Sequence, residues 1–418
     1  MHPYKRLTSQ KLWIDNGDSV NNNGTLGGLV DKSILVSRLA QLSIDRLARV
    51  REHMARDQVD TLVVASQENV MYTTGYESMG ATINRRFTWA AVITADRVLL
   101  VAPAAEFAPA IDAGLLPDNI FTFGTFFFSG DSPSSHTSVQ SATFEIAFGK
   151  ALAGLRPKRV VAENMYLPGS IQAALPAPVA DAASWMLNVR ARKLPFEIEL
   201  MRKVTEITQK AINAGIASAR IGMTDKDVAR VVASEMSLGG GLPRNLTVVG
   251  GHRSALADVM SSERVLKPGD LLRFDVGCSL YGYKSDMART AVVGEPTKLQ
   301  SSRYAAILAG LEAELEFVKA GVVARDVFHH GVAAVEAHGL APYQRQHIGH
   351  AIGISVYEWP VITPDCTEPL QAGSTFCLET PFYEPGWGGM MAEETGVVTE
   401  SGFELFSTID RSLRVIPD

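Results

Sequence analysis

The chain has 418 residues, 46% of them hydrophobic and 20% charged, with a formal net charge of -6 and a sequence pI near 5.9. That length is more than one hydrophobic core ordinarily serves, so two domains are predicted, and the composition excludes fibrous and low-complexity classes. The acidic balance excludes the global positive field by which proteins collect nucleic acid or anionic membrane surfaces.

Residues 1–35 are polar, rich in Asn and Gly and without periodicity, so they read as an N-terminal extension or arm. They lack the apolar run of a signal peptide. Together with three cysteines (Cys278, Cys366 and Cys377) in no CxxC spacing, this predicts a reducing, cytoplasmic location. From Leu42 the apolar positions Leu42, Ile44, Leu47, Val50 and Met54 fit one helix face, and residues 61–65 read as a buried strand. Further strands at 89–94, 98–102 and 159–162, with helical stretches between, describe an α/β domain over residues 36–182. Its apolar runs fall well short of the ~20 residues needed to cross a bilayer. A Pro- and Ala-rich stretch at 175–184 marks the boundary to a second domain, residues 183–418. That domain opens with a helix carrying Ile198, Met201, Val204, Ile207, Ala211 and Ile212, then a second helix over 228–236 with Thr224 and Asp227 as capping box. Helices at 302–320 and 324–338 precede a strand-rich end.

Two hairpins carry the chemistry. Residues 271–293 read as two strands around a turn containing Gly282, and a turn centred between Leu280 and Tyr281 sets Asp275 directly opposite Asp286. Opposed side chains sit roughly 4.5–5.5 Å apart at Cβ, and two carboxylates that close require a shared proton or a cation. In the second hairpin, residues 374–380 and 391–399 flank Glu384-Pro385-Gly386, and centring on Gly386 opposes Glu379 to Glu393. Between them lies His347-Ile348-Gly349-His350, where glycine permits close backbone approach and His350 offers a nitrogen ligand. Four carboxylates match two divalent cations with a bridging hydroxide, a nucleophile suited to amide hydrolysis.

The segments Lys267-Pro268-Gly269-Asp270, Phe274-Asp275-Val276-Gly277, Ser285-Asp286-Met287-Ala288-Arg289-Thr290, Gly349-His350, Leu378-Glu379 and Glu393-Glu394-Thr395 follow one another in the order of a known set of metal motifs. In these residues the chain resembles the prolidase, aminopeptidase P and creatinase family of the methionine aminopeptidase-like superfamily. Asn69 to Tyr76 also resembles the NxxYxTG segment of its N-terminal domain. The resemblance implies an α/β creatinase-like N-terminal domain and an α+β pita-bread catalytic domain. It implies two divalent ions, manganese first and cobalt, zinc or iron as alternatives. Asp275 would bind one ion, Asp286 and Glu393 would bridge both, His350 and Glu379 would complete the second site, and Glu379 would double as general base. Dipeptides of Xaa-Pro type or other small amino-acid-derived compounds are the implied substrates, and a homodimer the implied assembly.

Two positions depart from the pattern. The family's peptidases carry histidines where this chain has Asp258 and Tyr357. Tyr can donate a hydrogen bond and Asp can act as acid or base, so both are candidate catalytic residues, as is His347. The departure leaves open a non-peptidic, creatinase-like hydrolase and a metal-dependent lyase resembling the branch that acts on dimethylsulfoniopropionate. That branch carries an additional acidic residue where this chain has Gly277. A metal-free binding module is the alternative from another class. Glu394 has the opposite strand parity to Glu393 and reads as structural, while Cys278 and Cys377 read as buried packing. His252 reads more readily as bland than as catalytic, and Arg85, Arg86 and Trp89 as surface or core residues rather than groups reaching a neighbouring subunit's site.

Overall fold

The computed structural model describes residues 32–84, 86–129 and 140–417; residues 1–31 of the expected arm, and Arg85, lie outside them. Contacts divide the chain into Met1–Leu39 and Ala40–Asp418. The first helix, Lys32–Arg56, begins well before Leu42 and takes in the end of the expected arm, because no Gly or Pro interrupts the sequence from Lys32 onward.

The first sheet is six-stranded and mixed, in the order β4-β3-β2-β1-β5-β6. Its strands are β1 (Thr61–Val64), β2 (Ala90–Ile93), β3 (Val98–Pro103), β4 (Ile120–Phe123), β5 (Val160–Ala162) and β6 (Ala180–Asp181). Every residue of β1, β2 and β5 is buried, which is why these runs read as continuous hydrophobic strings rather than alternations. Phe144 and Phe148 on helix Phe144–Leu152 close one face over Val63, Val92, Leu99 and Val101. Helix Gln67–Thr74 ends at Gly75, whose φ of 75° admits the left-handed cap. On that helix buried Asn69 accepts from Arg190 and donates to Glu163, which gives the motif asparagine a local structural task.

The C-terminal half holds two further sheets. One has the order β18-β10-β8-β7, with β9 paired to β8; the other runs β12-β11-β13-β16-β17. In chain order these are β7 (Leu242–Gly250), β8 (Leu271–Leu280), β9 (Tyr283–Lys284), β10 (Met287–Val293), β11 (Gly349–Ala351), β12 (Glu358–Val361) and β13 (Thr375–Glu379). The ribbon β14 (Phe382–Glu384) and β15 (Gly388–Met390) follows, then β16 (Glu393–Val398), β17 (Phe403–Leu405) and β18 (Arg414–Ile416). Helices Pro195–Ser218 and Asp225–Leu238 bury Val204, Ile207, Ile212, Val228 and Val232 against Leu272, Phe274 and Val276 of β8. Helices Lys298–Phe317 and Ala324–Ala337 bury Ile307, Leu311, Val327 and Phe328 against Ile348, Phe376 and Leu378. The Thr224 and Asp227 capping box forms as expected. With each apolar sheet face taken by a helix pair, the alternate side chains of β8, β13 and β16 are left to face one another. This is the α/β plus pita-bread α+β architecture that the motifs imply.

Buried charges tie the first sheet's segment to the second half. Arg46 reaches the Tyr283 hydroxyl at 2.6 Å and lies 3.6 Å from Glu197. Glu358 is 2.9 Å from Lys193 and 3.3 Å from Arg190, all three buried. Burial alone would raise the Glu358 carboxyl, but the two cations bring it below its ordinary value. Glu358→Ala leaves both cations uncompensated in the interior, and urea unfolding is expected to show a loss of about 3–5 kcal/mol.

Candidate metal centre

The turn of the β8–β9 hairpin is two residues long, Tyr281 and Gly282, with φ of 51° and 84°. Both positive angles suit a primed turn, so Leu280 pairs with Tyr283, and the ladder continues with Met287 opposite Val276 and Ala288 opposite Asp275. The expected direct opposition of Asp275 and Asp286 is therefore corrected: the turn centres between Tyr281 and Gly282, not one residue earlier. Asp286 precedes β10, two residues from the partner of Asp275, and so keeps the same face as a diagonal neighbour. The second hairpin has the expected register, with Glu379 opposite Glu393 and Glu384 opposite Gly388 around Gly386. On the other side of β13, His350 lies opposite Cys377.

These registers bring one carboxylate oxygen each of Asp275, Asp286 and Glu393 within 4.8 Å of one another, and likewise ligand atoms of His350, Cys377 and Glu393. The two groups share Glu393 and form a candidate metal-binding site. Glu379 belongs to neither group but lines the same cavity, with its Oε1 2.8 Å from His347 Nε2. Glu393 Oε2 is buried without a hydrogen-bond partner, as expected of an atom that faces a cation. The residues therefore fit divalent ions.

The electrostatics agree. Burial pushes the Asp275 carboxyl up to about 6, with Arg273 pulling against it and Glu379 and Asp258 adding to it. Burial, then mutual repulsion, raises Asp286 and Glu393 well above the carboxylate range. Burial would raise Glu379 too, but His347, His350 and Arg345 bring it below its ordinary value. Burial lowers His350, which leaves a neutral imidazole free to coordinate. A site in which three carboxyls resist ionisation while a neighbour stays ionised is one built around missing positive charge.

Around this group the cavity, about 450 Å³ in volume, is walled by Asn245, Asp258, Arg345, His347, Tyr357 and Tyr383 among others. Tyr357 stacks on His350 with ring centroids 3.9 Å apart, and its hydroxyl lies 3.4 Å from His347 Nε2. Asp258 is exposed at the rim, whereas His252 is exposed and not part of the wall. Trp89 is buried, donating to the Ala65 carbonyl, and Arg86 is exposed.

Sequence reasoning missed four participants. Cys377 stands two residues before Glu379 on one strand and therefore shares its face; the reading of it as mere packing is corrected, while Cys278 does pack in the helix-covered core. Arg273 stands two residues before Asp275 by the same rule and donates to it at 2.8 Å. Asn245 donates to Asp286 at 3.0 Å from β7, and Arg345 enters from the loop before β11; neither has a periodicity signal. Glu394, on the opposite parity, pairs with buried Arg289, which donates to the Glu393 carbonyl at 2.6 Å and so fixes the neighbouring backbone.

Comparison with known proteins agrees with this geometry. Residues 46–185 match the creatinase/prolidase N-terminal domain and residues 199–400 match metallopeptidase family M24. The chain is 26% identical over 373 residues to an Xaa-Pro dipeptidase of Pyrococcus furiosus, covering 88% of this chain and 99% of that one. It is 28% identical over 260 residues to an Xaa-Pro dipeptidase of Lactobacillus helveticus, covering 62% and 70% respectively. The crystal structure of the prolidase from Pyrococcus horikoshii OT3 superposes with a TM-score of 0.74 at 24% identity, over 88% of this chain and 99% of that one. The dipeptidase PepE from Mycobacterium ulcerans superposes at 0.75 with 25% identity, over 90% and 99%. Both domain types thus occur in one chain, in that order, with the acidic strands of the second converging on one cavity: the chain belongs to the M24 metallohydrolase superfamily, in its creatinase, prolidase and aminopeptidase P branch.

Proposed function

We propose that the protein is a dinuclear metal-dependent hydrolase of an amide-type C–N bond in a dipeptide-like substrate, of Xaa-Pro type or a related small amino-acid derivative. The observation that carries the reading is the convergence of Asp275, Asp286 and Glu393 on one point, with Glu393 shared by the His350 group. Asp275, Asp286, His350, Glu379 and Glu393 would hold the ions, with manganese as first choice. Bound divalent cations supply Lewis acidity that polarises the scissile carbonyl and makes water a competent nucleophile near neutral pH. Glu379, kept ionised by the hydrogen bond from His347 and by Arg345, takes the proton from the attacking water, and His347 at 2.8 Å fixes the orientation of that carboxylate. Burial and the nearby carboxylates raise the Tyr357 phenol, so it remains a donor at neutral pH and can serve the carbonyl oxygen. In this reading Asp258, exposed at the rim, serves the leaving amine. In this proposal residues 183–418 carry the chemistry, residues 36–182 support it, and two copies form a homodimer, to be checked by sedimentation.

Asp258 and Tyr357 favour elimination as a second reading, with a product pair that contains no added water. Packing weighs against it: a Cβ on Gly277, where the lyase branch carries an acid, would lie 2.0 Å from the Ser285 carbonyl oxygen.

Chelation is expected to abolish turnover of Xaa-Pro dipeptides and manganese, cobalt or zinc to restore it, while elemental analysis finds stoichiometric metal that Asp286→Asn loses. Indifference to chelation, or a metal-free active protein, overturns the reading. Glu379→Gln is expected to lower kcat by about 10²–10⁴-fold. The pH dependence follows from the raised carboxyls. Asp275 has a folded pKa of about 6 against roughly 3.9 unfolded, so its contribution favours the metal-free fold in acid and fades as pH rises across that interval. The gain in Tm on adding manganese should therefore widen between about pH 5 and pH 7, as measured by thermal denaturation.

A further inference from the structure

The three cysteines divide by their surroundings. Cys278 and Cys366 belong to the helix-covered apolar cores, whereas Cys377, also buried, belongs to neither. Strand register explains the difference. On β13, Cys377 stands opposite His350 of β11 on one side and Thr395 of β16 on the other, and the next residue on its face is Glu379, opposite Glu393. Opposed positions share a face, so sulfur, imidazole and carboxylates form one continuous patch across three strands. Within it, one ligand atom each of His350, Cys377 and Glu393 lie within 4.8 Å of one another, and all three residues are buried.

The sulfur is uncommitted. Its neighbours are the Thr395 hydroxyl at 3.4 Å and the Asp286 carbonyl at 3.8 Å, and Thr395 already donates its proton to that carbonyl at 2.6 Å. What is left to Cys377 is a weak S–H contact. Glu393 Oε2, in the same group, has no hydrogen-bond partner, and its residue is 1% exposed. His350 places Nδ1 3.1 Å from the Ala351 carbonyl, which fixes the tautomer whose Nε2 carries the lone pair.

Donor type then separates the two halves of the centre. Asp275, Asp286 and Glu393 offer oxygen only, the donor set that suits manganese. His350, Cys377 and Glu393 offer nitrogen, sulfur and oxygen, a set that suits zinc, and three protein donors leave a fourth tetrahedral position open, as in catalytic zinc sites. We infer that Cys377 is a sulfur ligand and that the His350 position of the pair selects zinc or cobalt over manganese, the thiol proton passing to solvent as the ion binds. The oxygen-only position stays open to manganese, so the two positions are chemically unequal. This rests on the reading of the cavity as a metal centre, and not on which bond is cleaved.

The test uses the full chain, stripped with a chelator and reloaded with cobalt or zinc. Cobalt-loaded wild type should show a near-ultraviolet sulfur-to-cobalt charge-transfer band that Cys377→Ser loses and Cys278→Ser retains. Zinc X-ray absorption of wild type should show a sulfur scatterer at about 2.3 Å beside shorter nitrogen and oxygen distances, a readout that needs neither a variant nor turnover. In competition titrations Cys377→Ser should weaken zinc by at least the roughly 10- to 100-fold typical of losing a supporting residue, with manganese affinity nearly unchanged. A zinc shell of nitrogen and oxygen alone overturns the sulfur ligand and leaves the hydrolase standing. So does a cobalt spectrum unaltered in Cys377→Ser, or an equal loss of zinc and manganese in a variant that circular dichroism shows to be folded. Sulfur-ligated metal in a protein inert toward Xaa-Pro dipeptides leaves the ligand standing while the proposed reaction falls. A chain that takes up neither ion overturns both.

Discussion

Mutual repulsion among buried carboxylates is the constraint on which the rest of this structure depends. Asp286, Glu379 and Glu393 are each at most 7% exposed, and Asp275 lies beside them. Like charges so placed in a low dielectric cannot all remain ionised without compensation. The fold brings them together through strands β8, β13 and β16 and the residue that leads into β10, and the helix pairs outside lock those strands by apolar contact. Hydrophobic burial holds a polar arrangement that would not assemble by itself, and the missing positive charge defines the chemistry.

Fixed cations frame the group without filling it. Arg273, fully buried, restrains Asp275, and Arg289, equally buried, uses Glu394 as counter-charge while holding the carbonyls of Glu393 and Asp410. Neither is free to turn and neutralise the centre, since each donor already has an oxygen. Such a preorganised shell keeps the acids in position before any ion arrives, which is what a site of defined geometry requires.

Much of this was legible in the residues. The acids of the second hairpin could be paired by arithmetic alone, because Pro385-Gly386 fixes the turn and the strand period of two does the rest. The first hairpin shows where that method slips: Tyr281 adopts a positive φ that an aromatic residue rarely takes, so sequence favoured a turn centred one residue too early. The face survived the error, although the partner did not. Cys377 was misplaced for a different reason, since its chemistry suggested a core residue while its spacing from Glu379 already put it on the polar face. Asn245 and Arg345 come from distant segments, and only the tertiary fold brings them to the wall. Strands β4 and β6 went unread because one alternates over a short span and the other comprises two residues.

The Tyr281–Gly282 turn gives the centre an unusual dependence on chain length. Both acids of this hairpin owe their shared face to the number of residues between them, and a strand's side chains change sides with every single step. Lengthening or shortening the loop by one residue would send Asp286 toward the helix-packed core without altering the identity of any acid. In this fold, spacing in a remote bend is as much a part of the candidate metal site as the carboxylates themselves.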